Sequence, residues 1–243
     1  MDLKNKNILV TGGAKRIGKT ICEALADHGA NIIIHYNTSE KEAKDLQTQL
    51  RKKTGRVFIF QADLGKSSDI IKMMPQIEKE MDGVDILINN ASIFESAPLE
   101  NISESDWDRH IDINLKAPFL LAQRVSQKMI QKKYGKIINI TDASVGRPYT
   151  HYLHYCASKG GLDALTKALA KELAPHIQVN SIAPGPIIPS QDYSEEQRRK
   201  SQEKTLLKRW GDPKNIAQAV LFLIEADFVT GTTVTIDGGR LIV

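Results

Sequence analysis

Two groups of residues in this chain could do chemistry. The first is "YCASK", Tyr155 to Lys159. A tyrosine and a lysine at i and i+4 share one face of a helix. An ammonium beside a phenol favours the phenolate and lowers the tyrosine pKa, which makes the hydroxyl a usable acid near neutral pH. On spacing alone the pair also fits an ordinary exposed Tyr and Lys. The second group is "TGGAKRIGKT", Thr11 to Thr20, after the apolar run "NILV". From Gly13 it spells G-x-x-x-x-G-K-T, the template of a P-loop. From Thr11 it reads as a dinucleotide-binding turn in which a glycine has become Arg16. Both kinds of loop hold phosphates on backbone N–H groups at a helix N-terminus.

The elements that must position these residues are legible as short apolar runs with helical patterns between them. The runs are residues 7–10, 31–36, 56–61, 84–90, 136–141, 178–184 and 233–237. They are β-branched and apolar on both faces, as buried parallel strands should be. "SEKE", Ser39 to Glu42, reads as a capping box opening one of the helices, and "SEEQ", Ser194 to Gln197, as the cap of a short one. Strands alternating with helices predict a Rossmann-type, doubly wound α/β sheet of about seven parallel strands in a single domain spanning 1–243. The one long irregular segment, Pro184 to Ser194, opens a substrate lid expected over about 184–210.

The 243 residues are 41% hydrophobic and carry a net charge of +4, which suits one sizeable domain with an anionic ligand and is too small an excess for nucleic acid. Cys22 and Cys156 have no metal-ligand spacing, so neither a metal site nor a disulfide framework is expected. The N-terminus carries no signal-peptide core, and no apolar run approaches the ~18–20 residues of a membrane span. The expectation is a soluble, cytoplasmic protein.

"TGGAKRIG", "ADL" (Ala62 to Leu64), "NNAS" (Asn89 to Ser92), "INL" with Asn114, "YCASK", "NSIAPG" (Asn180 to Gly185) and "IDGG" (Ile236 to Gly239) occur in this order. Over nearly its whole length the chain resembles the short-chain dehydrogenases/reductases. The resemblance implies a nicotinamide cofactor, a homotetramer, and Tyr155 and Lys159 in the active site. It makes Asn114 the holder of a proton-relay water, although such a side chain can also bond backbone within its own helix. The cofactor then falls to Thr11, Gly12, Lys15, Arg16 and Ile17 in the first turn, and to His35, Tyr36, Asn37 and Ser39 after the second strand. Asp63 and Leu64, then Asn90, Ala91 and Ser92, follow the third and fourth strands. Tyr155, Lys159, Pro184 and Gly185 complete the set. Asp63 also fits a strand-end turn former.

Two departures from the family pattern point to a substrate. Asp142 stands where most members carry a serine, and Arg16 where they carry the middle glycine of the turn. A serine hydroxyl suits a carbonyl; a carboxylate beside a tyrosine suits protonation of a ring nitrogen and accepts N–H donors from a heterocycle. Asp142 can equally be a loop cap. Together the two resemble the pteridine reductases and dihydromonapterin or dihydrofolate reductases. That resemblance places a pterin or folate against Arg16, Ser92, Phe94, Asp142 and Tyr155, with Phe94 stacking on the flat ring; Phe94 also fits a lid aromatic. Asp142, Tyr155, Lys159 and Asn114 become the catalytic set.

After "IIIHYNTS" the first acid is Glu40, so no carboxylate meets the ribose 2′ position, and the expected cofactor is NADPH/NADP+. Lys15, Arg16, His35 and Ser39 would receive the phosphate. The rivals are a reductase of a carbonyl such as a 3-oxoacyl thioester, a catalytically idle NADP-binding sensor, and a P-loop nucleotidase.

Overall fold

The computed structural model describes residues 3–189 and 193–243. Seven parallel strands form one sheet in the order β3-β2-β1-β4-β5-β6-β7. They are β1 Asn7–Val10, β2 Asn31–Tyr36, β3 Val57–Gln61, β4 Ile86–Asn89, β5 Gly135–Ile140, β6 Ile177–Pro184 and β7 Thr233–Ile236. The register is continuous across the centre, with Val10 opposite Ile34 of β2 and Ile88 of β4. The observed ends differ from the apolar runs by a residue or two. Pro184 still belongs to β6, opposite Ile236, so the irregular segment opens one residue later than its proline implied.

Residues on β1 alternate between two cores. Ile8 and Val10 face one side, packed with α1 (Arg16–Asp27), α2 (Glu40–Leu50) and α8 (Pro213–Glu225). Leu9 faces the other, packed with α3 (Ser67–Met81) and α5 (Ala117–Gln131). On that second side α6 (Leu153–Leu173) covers β6, and α4 (Glu104–Ile111) packs against α6. A π-turn, Asp112–Lys116, joins α4 to α5. No helix among the described residues is long and apolar enough to cross a membrane.

The helix starts show which caps the sequence encodes. Ser194 opens α7 (Glu195–Glu203) with the expected capping box. Ser103 and Asp212 do the same for α4 and α8. The box read at Ser39 does not form. Ser39 occupies the N-cap position with ψ 52°, whereas ψ is 159° at Ser103 and 160° at Ser194, so its hydroxyl caps nothing. Its expected partner, Glu42, pairs with Lys15 instead, at 2.9 Å. Around α7, residues 190–192 of the expected lid lie outside the described residues. The charge run on α7 is a solvated face crossed by i,i+3 and i,i+4 pairs such as Lys200–Glu196.

A parallel sheet delivers all its strand ends to one edge, and the order reverses between β1 and β4. Thr11 joins those two ends. Its backbone N–H donates to Ile88 O at 3.0 Å, and its Oγ1 accepts from the N–H groups of Asn90 (2.9 Å) and Ala91 (3.0 Å). Thr11→Val keeps the shape and leaves two amides without an acceptor. The expected loss of stability is about 1–3 kcal/mol, read by chemical denaturation. A variant as stable as the parent overturns this role.

Candidate functional site

Loops after β1 to β4 enclose a cleft of about 340 Å³ at the reversal point. Among the expected cofactor residues it is lined by Gly12, Lys15, Arg16, Ile17, His35, Tyr36, Asn37, Ser39, Asp63, Leu64, Asn90, Ala91 and Ser92. The backbone explains the glycines. Gly12 has φ +60°, and a β-carbon on Gly18 would collide with the carbonyl oxygen of Gly12. Arg16 sits at φ +51°, a left-handed conformation that glycine adopts freely and a larger residue adopts at a cost of about 1–2 kcal/mol. The glycine-like conformation therefore persists beneath an arginine. The Arg16 side chain is exposed and has no hydrogen bond or ion pair among the described residues. Lys19 and Thr20 lie within α1, where Lys19 pairs with Glu23 and the Thr20 hydroxyl donates to Arg16 O, so the P-loop spelling has no structural counterpart.

Several expected roles change. Thr11 is buried and lies beneath the cleft, its hydroxyl occupied by the β4 amides. His35 is 2% exposed. Its Nδ1 accepts from Gly12 N–H at 3.1 Å, and its Nε2 donates to Ala62 O at 3.1 Å. Burial pulls its pKa down to about 4, so at neutral pH it is an uncharged strut with no free N–H for a phosphate. Pro184 and Gly185 do not line the cleft. Gly185 donates to Ile236 O, and a β-carbon there would press on Asp237. Asn90 lines the cleft while its amide donates to Thr11 O and Gly12 O. Asp63 lines it too and also forms the turn, accepting from Gly65 N–H at 3.0 Å. Ala14, Thr38, Ile93 and Ile113 also line the cleft; the aliphatic side chains of Ala14, Ile93 and Ile113 carry no chemical signal.

The Tyr155 group lies outside this cleft, beyond its Ser92–Ile93 end. Asn114, at the centre of the π-turn, makes the link. Its Oδ1 accepts from Ser92 Oγ (3.1 Å) and Ile93 N–H (3.0 Å), and its Nδ2 donates to Ile93 O (3.1 Å) and Ser158 Oγ (3.0 Å). Ser158 Oγ donates in turn to Tyr155 O at 2.7 Å. A π-turn is a common device at functional positions, and nothing in "DINLK" announces it.

Tyr155 is 5% exposed and donates its hydroxyl proton to Asp142 Oδ2 at 2.8 Å. Asp142 Oδ1 accepts from Ser144 N–H at 2.7 Å, so the carboxylate is both loop cap and tyrosine partner. Burial, then the Asp142 charge, holds the Tyr155 phenol well above its usual pKa. This reverses the lowered value that the YxxxK spacing implied. Lys159 Nζ donates to Ile140 O at 2.8 Å and stands 5.8 Å from the Tyr155 ring centroid. Burial brings Lys159 down to about 8. Tyr155 is thus held as a proton donor in this state, with a lysine close to its own titration point beside it.

Phe94 reaches the same place from the loop after β4. It stacks on Tyr152 (centroids 4.2 Å, planes 12° apart) and meets Tyr155 edge-on at 4.7 Å. Tyr149 adds an edge contact to Phe94 at 6.3 Å, and Asp142 acts on its phenol, which burial holds above its usual range. Neither Tyr149 nor Tyr152 is among the residues expected from the sequence. The spacing of Tyr149, Tyr152 and Tyr155 at three-residue intervals is the signal that could have found them.

Comparison with known proteins agrees with this arrangement. The short chain dehydrogenase family profile matches residues 6–200. A 3-oxoacyl-[acyl-carrier-protein] reductase, FabG, from Staphylococcus epidermidis is 35% identical over 97% of this chain and 98% of its own. The crystal structure of FolM alternative dihydrofolate reductase 1 from Brucella canis, complexed with NADP, superposes with a TM-score of 0.92 at 32% identity, covering 100% of this chain and 97% of that one. A blue fluorescent protein from a metagenomic library, in complex with NADPH, superposes with a TM-score of 0.90 at 32% identity, covering 99% of each chain. With the strand order, the glycine turn and the buried Tyr155–Lys159 pair already in place, these matches show that the chain belongs to the short-chain dehydrogenase family.

Proposed function

We propose that this oxidoreductase uses NADPH to reduce a dihydropterin or dihydrofolate to the tetrahydro form. The observation that carries the reading is the Tyr155–Asp142 hydrogen bond of 2.8 Å. A carboxylate in this position repels a substrate carbonyl oxygen. It attracts a ring that brings N–H donors, as the aminopyrimidine part of a pterin does. Phe94 and Tyr152 add flat faces for the ring. The NADP-bound FolM structure, an alternative dihydrofolate reductase by name, supports the same reading.

The cleft fits the dinucleotide. It has a carbonyl-to-glycine approach that excludes any side chain at Gly18, and Asn37, Thr38 and Ser39 follow β2 without a carboxylate. Arg16, its guanidinium unpartnered among the described residues, Lys15 and Ser39 would hold the 2′-phosphate; His35 would not. When bound, NADPH supplies the hydride. Tyr155 holds the proton, Asp142 fixes its direction and receives the substrate's donors, and Lys159 balances the charge as the proton leaves. Asn114 holds the loop bearing Ser92 and Phe94 against α6. The segment 184–210 is the lid in this reading, and the acting assembly a homotetramer.

The FabG relatives favour a second reading, reduction of a 3-oxoacyl thioester. NADPH oxidation with dihydrobiopterin, dihydromonapterin, dihydrofolate and acetoacetyl thioester separates the two. Under the pterin reading Asp142→Ala lowers pterin kcat/KM by about a hundredfold or more with NADPH affinity within about twofold. Near-normal pterin turnover in that variant, or turnover of the thioester alone, overturns it.

Arg16→Gly is expected to leave stability unchanged or raise it by up to about 1 kcal/mol in thermal melts, since glycine suits φ +51°. The same variant should bind NADPH at least about tenfold more weakly in titration, the loss of one charge-assisted contact. Undiminished affinity removes Arg16 from the phosphate site.

Lys159 is charged below about pH 8 and neutral above it. The rate should therefore fall as pH rises through about 8. The Asp142 charge raises the Lys159 pKa, so Asp142→Asn should move this limb to lower pH in the residual activity. A pH–rate profile whose limb stays fixed assigns it to another group.

A further inference from the structure

After β7 the chain makes a short turn that takes no part in the reaction proposed above, yet it touches both the Asp142 loop and α7. Asp237, buried just beyond β7, anchors the turn. One of its carboxylate oxygens accepts from Gly239 N–H and the other from Leu241 N–H, both at 2.8 Å. A 3₁₀ turn, Arg240–Ile242, follows. On one side it meets the loop running from Asp142 to Tyr149. Arg147 Nη1 donates to Arg240 O at 3.0 Å and to Val243 O. Gly146 lies so near Leu241 that a β-carbon there would stand 3.2 Å from Leu241 Cδ2. On the other side it meets the segment read as the lid. Leu207 N–H donates to Gly238 O at 3.2 Å, and Arg240 Nη1 donates to Ser201 Oγ of α7 at 3.4 Å.

The Arg240 guanidinium occupies this junction. It stands 5.7 Å from the centroid of the Tyr149 ring, within the range of a cation–π contact. No carboxylate pairs with it among the described residues, so its charge is free to act on the ring. Tyr149 in turn meets Phe94 edge-on. Burial, the largest influence, and Asp142 raise the Tyr149 phenol, while Arg240 lowers it. One ring thus answers both to a cation and to the carboxylate that holds Tyr155. Residues 145–148 of the loop are exposed, so its position depends on tethers at the rim rather than on core packing.

We propose that Arg240 is a positioning residue: by holding the Tyr149 ring it sets the wall of the substrate pocket beside Phe94 and Asp142, and by bonding Ser201 it ties that wall to α7. A guanidinium suits both tasks, because it presents a flat face to an aromatic ring and N–H donors at its edge. A movement of α7 then reaches Tyr149 through a single side chain.

The proposal rests on the reading that substrate binds beside Phe94 and Asp142, not on which compound is reduced, so kinetics are read with whichever compound is turned over. Arg240→Gln keeps a donor for Ser201 and removes the charge. It should raise the substrate KM by about threefold or more, the scale of one exposed cation–π contact. The KM for NADPH should stay within about twofold, because Arg240 does not line the cleft. Arg240→Lys restores the cation and should recover most of the loss. In a Tyr149→Leu background, Arg240→Gln should have no further effect, since the ring it acts on is gone. A turn that only supports the fold gives additive losses instead. Fluorine NMR of protein carrying 4-fluorophenylalanine reads the wall without turnover, with the Phe94 signal assigned by Phe94→Leu. That signal should shift in Arg240→Gln, return in Arg240→Lys, and shift again in Ser201→Ala. An unchanged substrate KM in Arg240→Gln, additive losses in the double variant, or a Phe94 signal blind to Arg240→Gln overturns the role of Arg240. A signal blind to Ser201→Ala overturns the tie to α7. Failure of the pterin assay alone overturns only the substrate, and the fluorine signal still decides the role of Arg240.

Discussion

Parallel pairing is the constraint on which the rest of the molecule depends. Seven strands running the same way leave seven carboxyl ends on one edge, and the order reverses between β1 and β4. There the Thr11 hydroxyl carries the β1–β4 pairing past the ends of the strands, accepting from the two amides that follow β4. His35 of β2 links the turn after β1 to the end of β3, accepting from the Gly12 amide and donating to Ala62 O. The cleft is the space these two struts hold open. Its polar side chains are therefore of two kinds: those that build its floor and those, such as Arg16, left free to meet a ligand.

The Tyr155–Asp142–Lys159 cluster lies one step further along the same edge, and the chemistry proposed for it depends on dryness. Tyr155 and Lys159 are both almost fully buried, so burial acts on them in opposite senses, raising the phenol and lowering the ammonium. Asp142 reinforces the first effect and opposes the second. The outcome is a protonated tyrosine, locked by a carboxylate, beside a lysine near its titration point. A serine at position 142 would have supplied a donor to substrate; the carboxylate supplies an acceptor. That single difference separates the proposed heterocycle from the carbonyl compounds named for many relatives.

The sequence alone determined the order of strands and helices, because apolar runs buried on both faces and helical periods between them leave one economical architecture. It also nominated the members of the candidate site, since Tyr155, Lys159, Asp142, Asn114 and Arg16 stand at fixed intervals from recognisable turns. Their working states depended on neighbours remote in the chain. The YxxxK spacing placed an ammonium near the phenol, but the direction of the Tyr155 shift came from burial and from Asp142. "SEKE" looked like a capping box, but Glu42 lay closer to Lys15, and the backbone at Ser39 turned its hydroxyl away. His35 had the residue type of a phosphate ligand and became a strut because β3 closed over it. Local pattern dictates the element; protonation state, hydrogen-bond partner and exposure belong to the packed whole, where groups tens of residues apart share one dielectric environment.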